Sequence, residues 1–321
     1  MEQHQEILVR VCARDALADG IVGLTLAPVD GGQLPEWTPG AHLDLKLPLK
    51  ADDGAEVIRQ YSLCGDPRDR SCYRIGVLRE AAGRGGSAYV HDRLAPGEVI
   101  RINAPRNHFP YEPTARTLFI AGGIGITPIL PMVRQAAAEG HDWQLIVATR
   151  DRSRLAFGAD FAALDPARVT FHFDAEKGLL DLDAVLGPLG AETTVYSCGP
   201  SGLLDALTQR SERAPWQLRI ERFAASEPVD TAGKGFDVIC ASSGERLRVG
   251  EGQTILEVVR AAGYKIESSC KDGICGTCET RVLRGMPDHR DSVLTAEERA
   301  ANDYMMICVS RAQGSELELD I

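Results

Sequence analysis

The chain has 321 residues, long enough for two or three domains with their own cores, and its 44% hydrophobic and 25% charged side chains are those of an ordinary globular protein. A formal charge of −11 argues against a general nucleic-acid binder, which needs clustered Lys and Arg against phosphates. No apolar run nears the roughly 18–20 residues of a membrane span, and the start, MEQHQEILVRVCARD, has no apolar core behind a basic segment, so a cytoplasmic protein with no membrane and no nucleic-acid partner is expected.

Residues 1–110 carry short alternating runs, AHLDLKLPL, CYRIGVLRE and GEVIRINAP, between Gly, Pro and Asp turns, the pattern of an antiparallel β-barrel or sandwich. Two segments stand out in this region. One is RQYSL, Arg59–Leu63; the other is GRGGSAYVHDRL, which sets Gly85, Gly86 and Ser87 ahead of a helix as a phosphate cradle does.

Over residues 111–225, strands TLFIAGG, WQLIVATR, RVTFHF and TTVYSCG alternate with helical TPILPMVRQAAAEG, a helix near RLAFGADFAAL, and PSGLLDALTQR. That alternation predicts a doubly wound α/β domain around a parallel sheet. FIAGGIGITPIL places Gly122, Gly123 and Gly125 directly after an apolar strand, with Thr127 and Pro128 opening the helix. Glycines let backbone approach a pyrophosphate, and the helix N-terminus offers unpaired N–H groups. YSCGP, with Cys198, Gly199 and Pro200, is read as ending the last strand of the same sheet, where open α/β folds bind ligands. Arg150, Arg152 and Arg154 are a possible site for a 2′-phosphate, with Asp151 among them as the counter-signal.

A polar stretch over residues 226–235 reads as a linker. The region 236–321 opens with a hairpin, FDVICASSGERLRVGEG, and a helix, TILEVVRAAGY, with Thr254 as N-cap and Glu257 three residues on. Then comes SSCKDGICGTCET, spaced Cys270-x4-Cys275-x2-Cys278, with Cys308 in strand-like YMMICVSR. Nine cysteines are an odd number, and Cys12, Cys64, Cys72, Cys198 and Cys240 are scattered, so a disulfide scaffold is not expected. The spacing is the plant-type [2Fe–2S] pattern, four thiolates shared by two irons. Zinc, a redox dithiol and buried thiols are the alternatives, but zinc normally pairs two short CxxC units and a dithiol leaves Cys270 and Cys308 unused. Gly273 and Gly276 permit a tight loop whose N–H groups point at sulfur.

The cysteine loop resembles plant-type ferredoxins, implying a β-grasp fold. The two glycine turns and the Arg-x-Tyr-Ser of RQYSL resemble the ferredoxin–NADP reductase superfamily. Their order along essentially the whole chain resembles the phthalate dioxygenase reductase family, which includes the reductases of vanillate demethylase and phenoxybenzoate dioxygenase systems. That resemblance implies an FMN-binding antiparallel β-barrel (1–110), a ferredoxin–NADP-reductase-like α/β nucleotide domain (111–225) and a C-terminal plant-type ferredoxin domain (236–321) after the linker. It implies that Arg59 meets the flavin phosphate, that Tyr61 lies against the isoalloxazine, and that Ser62 donates to it. Ile75, Val77, Gly85, Gly86, Ser87 and Phe223 complete the flavin site, with core packing the plain alternative for Phe223. Gly122, Gly123, Gly125, Thr127, Pro128, Cys198, Gly199 and Pro200 would hold the nicotinamide nucleotide, Thr127 and Cys198 flanking the transferred hydride. Cys198 as a mere packing residue is equally open.

The implied activity passes electrons from NADH, rather than NADPH, through FMN and the [2Fe–2S] cluster of Cys270, Cys275, Cys278 and Cys308 to a separate Rieske-type oxygenase. The protein would act as a monomer. The cluster potential should exceed the typical plant-type value of about −400 mV. Lys271, Asp272, Glu279, Asp288 and Asp291 are charges that could steer the partner. The alternatives are an FAD-dependent reductase of a multicomponent monooxygenase, whose ferredoxin domain tends to be N-terminal, and a flavin-bound zinc module acting as a redox sensor.

Overall fold

The alternating N-terminal runs form β1 (Glu6–Ala18), β2 (Ile21–Pro28), β3 (His42–Lys50), β4 (Glu56–Ser62), β5 (Tyr73–Leu78) and β6 (Val99–Asn103) in a computed structural model of the chain. The structure describes residues 6–51, 54, 56–81, 83–224 and 230–321, so residues 226–229 of the expected linker lie outside the described residues. These strands make one antiparallel sheet in the order β4-β3-β6-β1-β2-β5, with helix α1 (Gly86–Arg93) following β5. Period-2 alternation sends Leu43, Leu45 and Leu47 into the barrel core with Val9, Leu24 and Ile102. The opposite face of β3 carries His42, Asp44 and Lys46, which are also buried. Asp44 is held there by Gln60, Asn103 and Arg106, so the polar residues of this strand face a second, hydrogen-bonded layer.

Next come β7 (Arg116–Gly122), α2 (Ile126–Ala138), β8 (Trp143–Thr149), β9 (Val169–Phe173), β10 (Thr193–Cys198), α3 (Ser201–Ser211) and β11 (Gln217–Glu221). The sheet is parallel in the order β11-β10-β7-β8-β9. Two expectations need correction. The YSCGP turn does not end the last strand, because β11 follows it as an edge strand; its half-buried Leu218 and Ile220 give only a short, weak alternation. Nor is there a full helix near RLAFGADFAAL: Phe157 sits at φ 66, in the left-handed region, and only one helical turn, Gly158–Phe161, follows. Ala156, Phe157 and Phe161 are buried as separate anchors.

In α2 the helical path starts earlier than expected, in a tight turn over Gly123–Gly125, so Thr127 and Pro128 are its second and third α-helical residues. The first compact unit ends at Phe223 and the second begins at Ala224. The second unit contains β12 (Phe236–Cys240), β13 (Glu245–Val249), α4 (Ile255–Ala261), β14 (Glu279–Arg284), β15 (Pro287–Asp288), α5 (Ala296–Ala301), β16 (Tyr304–Met306), β17 (Arg311–Ala312) and β18 (Glu316–Leu319). Its main sheet runs β13-β12-β18-β14-β16. The hairpin β12–β13 is as expected, and α4 opens with the capping box of Thr254 and Glu257. Cys308 lies in a turn just past β16 rather than within a strand.

Candidate functional site

In the parallel sheet, β7 to β9 run outward on one side while β10 and β11 lie on the other, so the strand order reverses between β7 and β10. That is the switch point where open α/β sheets bind ligands. The two glycine turns meet there backbone to backbone. A Cβ on Gly125 would stand 2.1 Å from the Cys198 carbonyl oxygen, and one on Gly122 would stand 2.6 Å from Pro200 Cδ. A Cβ on Gly199 would lie 2.8 Å from the Cα of Gly122. Thr127 and Cys198 are brought to the same place, but both side chains are buried and the Thr127 hydroxyl donates to the Ile124 carbonyl at 2.9 Å. Burial first, then Glu221, pushes the Cys198 thiol well above its ordinary range.

Glu221, which sequence reasoning missed, pairs in register with Cys198 on the neighbouring strand. Its Oε2 is buried with no hydrogen-bond partner among the described residues, and burial pushes its carboxyl up to about 8. The sequence offers only a weak signal, an acid at the end of the short alternating strand QLRIE. Folded Glu221 keeps its proton at pH values where an unfolded carboxyl, near 4.5, has lost it. Its contribution is therefore intact below about pH 4.5 and is lost progressively as pH rises toward 8. Glu221→Gln is expected to flatten that decline in urea midpoints measured from pH 5 to 8; an unchanged slope would sink the assignment.

The flavin-motif residues sit at the end of β4. Arg59 donates to the Ile58 and Arg84 carbonyls at 2.8 and 3.0 Å. A Cβ on Gly86 would come within 2.6 Å of Arg59 Cγ and Nε, so this glycine lets the start of α1 lie directly on the arginine. Gly85, at φ 78, caps α1 without a side-chain hydrogen bond. Arg59 is depressed by burial and then by the neighbouring Arg84 cation, a pairing that an anion would relieve. The Ser87 hydroxyl accepts the Glu80 N–H at 3.0 Å and keeps its own proton to donate. Ser62 Oγ is buried with no partner among the described residues, and Tyr61 is partly buried against the barrel core. These features fit a flavin phosphate at Arg59 and a flavin acceptor at Ser62. Ile75 and Val77 are fully buried in the barrel core, so a ligand there can meet only their backbone. Phe223, at the end of the first unit, is 43% exposed. A cleft of about 530 Å³ lined by Gly65, Asp66, Arg74, Arg134 and Asp160 contains none of the expected site residues.

Arg152 is engaged by Glu176 through two hydrogen bonds of 2.7 and 3.0 Å and lies over the Phe173 ring, and Ser153 donates to Asp151. This arginine is thus paired with a carboxylate at an exposed position.

In the second unit Cys270, Cys275, Cys278 and Cys308 are all buried. The Cys270 thiol interacts with those of Cys275 and Cys308, and Cys308 also with Cys278. Among the described residues no group of three or more His, Cys, Asp or Glu closes into a single-ion cage. Lys271, Gly273 and Gly276 at φ 62, 68 and 73 turn the loop inward. The Asp272 N–H donates to Cys270 Sγ at 3.3 Å, and the Gly273 N–H reaches the Cys308 sulfur. The Cys275 thiol is pushed well above its ordinary range by its bond to Cys270 and by burial, so four buried sulfurs facing inward are better matched to a cationic metal centre than to free thiols. Asp291 is not a steering charge: it is buried and accepts the Val293 and Leu294 N–H groups.

Thr277 lies 3.4 Å from Cys275 Sγ, oxygen to sulfur. Once the sulfur is a metal-bound thiolate, this hydroxyl donates to it and favours the more negative, reduced cluster. Thr277→Val is expected to lower the potential by about 40 mV, the worth of one hydrogen bond for a one-electron couple. A redox titration with no shift would count against that bond.

A family model, 2Fe-2S iron-sulfur cluster binding domain, matches residues 238–313. Vanillate O-demethylase oxidoreductase from Pseudomonas sp. (strain HR199 / DSM 7063) is 41% identical over 98% of this chain and all of its own length. The structure of an intact type IV self-sufficient cytochrome P450 monooxygenase shares 41% identity and a TM-score of 0.90, covering 98% of this chain, which spans 41% of that longer one. Phthalate dioxygenase reductase, described as a modular structure for electron transfer from pyridine nucleotides to [2Fe–2S], shares 33% identity with a TM-score of 0.70 over 98% of both chains. No helix among the described residues is long and apolar enough to cross a membrane.

Proposed function

The chain belongs to the phthalate dioxygenase reductase family of oxygenase-system oxidoreductases, and from that premise we propose that it carries electrons from NADH through FMN and a [2Fe–2S] cluster to a Rieske-type oxygenase acting on an aromatic or related small organic substrate. The observation that carries this reading is the presence, in one chain, of a nucleotide-type turn pair at a sheet switch point and a four-cysteine ferredoxin loop. A nicotinamide releases two electrons together as hydride and a [2Fe–2S] centre accepts one at a time, so the flavin's chemistry is the conversion between them.

The chain's own residues set the positions. Gly122, Gly125 and Gly199 let the two turns close on each other to form the nucleotide site, while Pro128 and Pro200 fix the flanking backbone. Arg59, beside Gly85 and Gly86, binds the flavin phosphate; Tyr61 and Phe223 cover the ring; Ser62 donates to it. Cys270, Cys275, Cys278 and Cys308 hold the irons. The engaged Arg152 favours NADH over NADPH.

An anaerobic NADH titration followed by visible absorption tests this reading. Bleaching of flavin and iron–sulfur bands by about three electrons per chain, two for the flavin and one for the cluster, is the expected result. Flavin bleaching alone in iron-replete protein would reject it. A cytochrome P450 is the second partner reading, favoured by the self-sufficient P450 enzyme. Transfer of electrons to a purified P450 but not to a Rieske protein would select it.

A further inference from the structure

Three elements of the first unit converge on one carboxylate. Arg74 of β5 donates to Asp160 Oδ1 at 2.8 Å, and Arg134 of α2 donates through Nη2 to the same oxygen. Arg134 Nη1 also donates to the Cys64 and Gly65 carbonyls, at 3.0 and 3.1 Å, in the chain that leaves the flavin motif RQYSL. The Cys64 N–H in turn donates to the Arg74 carbonyl at 2.9 Å, which closes a ring of contacts around Asp160. A second joint lies beside it. A Cβ on Gly76 would stand 2.8 Å from Phe157 Cζ and 3.0 Å from Thr127 Cγ2, so the β5 backbone touches both side chains. Arg74 and Gly76 are two apart on a strand, Thr127 and Arg134 seven apart on a helix, and Phe157 and Asp160 three apart across one helical turn, so each pair shares a face. The short turn is therefore a wedge between strand and helix, with its ring at one end and its carboxylate at the other. Phe157 holds φ 66, a costly backbone for a large side chain that persists only where its surroundings fix it, and Arg74 lies over its ring at 5.4 Å from the centroid.

We propose that Asp160 is a positioning residue for hydride transfer, a strut that fixes the flavin strand β5 against the nucleotide turn at the start of α2. The inference rests on the function proposed above and adds the contact that sets its two sites against each other. Gly76 lies between Ile75 and Val77 of the expected flavin site, and Thr127 belongs to the expected nicotinamide site, so the Gly76–Thr127 contact joins the two directly. The Ile124 carbonyl holds the Thr127 hydroxyl, which leaves the methyl group for Gly76. Asp160 lies outside both sets of residues and acts through its partners: it holds Arg74, two residues from Gly76, and Arg134, two turns from Thr127. Both guanidinium groups reach one oxygen, so losing the carboxylate charge leaves two like charges side by side and pushes the strand from the helix. Hydride transfer is steep in distance, and a displacement of about 1 Å made far from the chemistry lowers a rate by up to about 100-fold.

The test uses the full chain with its cofactors, mixed anaerobically with NADH by stopped flow. Asp160→Asn, which keeps the shape and loses the charge, is expected to lower the limiting rate of flavin bleaching by about tenfold or more, while the NADH concentration giving half that rate changes by less than about threefold. That split marks an interaction felt only in the reacting geometry, whereas a general loss of fold would move both values. Dithionite should still bleach the flavin of the variant. Asp142→Asn, which removes an exposed pair with Arg168 away from β5 and α2, is the control and should leave both values unchanged. A wild-type limiting rate in Asp160→Asn, or a half-saturating concentration that rises as far as the rate falls, overturns the strut. Amide hydrogen exchange of the oxidised protein gives a readout independent of turnover: Asp160→Asn should speed exchange in residues 63–65 and in the first turns of α2 but not in β6, and no change in either segment overturns the proposal. Wild-type protein that NADH does not reduce would instead reject the proposed function, and the exchange data would still decide whether Asp160 ties β5 to α2.

Discussion

Cys308→Ala is expected to abolish the iron–sulfur absorption and to cut electron delivery to a one-electron protein acceptor by at least about 100-fold, more than a lost outer-shell contact costs. Cys308 is buried and interacts with the thiols of Cys270 and Cys278, and the Gly273 N–H is aimed at its sulfur. Its removal takes one thiolate of four, leaving an iron incompletely held and the Gly273 donor without its acceptor. NADH-driven bleaching of the flavin, which needs only the first unit, should persist. Cys240→Ala is the control, because Cys240 is equally buried but lies in the apolar core with Val238 and Leu317; it should keep its iron and lose only stability. Iron content and visible spectra of the two variants decide the matter. Full iron in Cys308→Ala would remove Cys308 from the ligand set, whereas loss of iron in both would point to a fold that tolerates no change.

The elements that were legible in the sequence are those whose signal is local. Alternating Leu43, Leu45 and Leu47 announce a barrel strand, Thr254 and Glu257 announce a capped helix, and the cysteine spacing stands in a single loop with its glycines. What escaped is non-local. Glu221 becomes informative only because β11 lies beside β10 and sets it against Cys198, a strand pairing no spacing reveals. Asp44 looks like the polar half of an ordinary alternation until Gln60, Asn103 and Arg106 are found hydrogen-bonded to it inside the fold. Asp291, read as a surface charge, is buried where the Ser310 hydroxyl, far away in sequence, donates to it at 3.4 Å. The helix expected near residue 158 fails for a similar reason: its apolar residues anchor individually to the core, and Phe157 adopts a left-handed backbone that a helix cannot continue through.

The role of the glycines at the switch point can be separated into conformation and contact. Gly125 has φ −60 and ψ −7, which any residue adopts, so its need for glycine comes wholly from contact. A Cβ there would stand 2.1 Å from the Cys198 carbonyl oxygen and 2.4 Å from its carbon, both backbone atoms that cannot rotate away. Gly125→Ala is therefore expected to force the two turns apart and lower kcat/KM for NADH by about 10–100-fold, the equivalent of 1–3 kcal/mol of overpacking. Gly123 is the reverse case, with φ 55 and no atom within 4 Å of a Cβ. Gly123→Ala should cost only about 1 kcal/mol of backbone strain, with less than a tenfold loss. Flavin absorbance in both variants shows whether the first unit is intact while steady-state kinetics read the nucleotide site. If Gly123→Ala proves the more damaging, the turn needs glycine for its left-handed backbone, and the close approach of the two turns is not what admits the nucleotide. If Gly125→Ala does, the approach itself is the binding feature, since the only thing the substitution adds is one methyl group where two backbones meet.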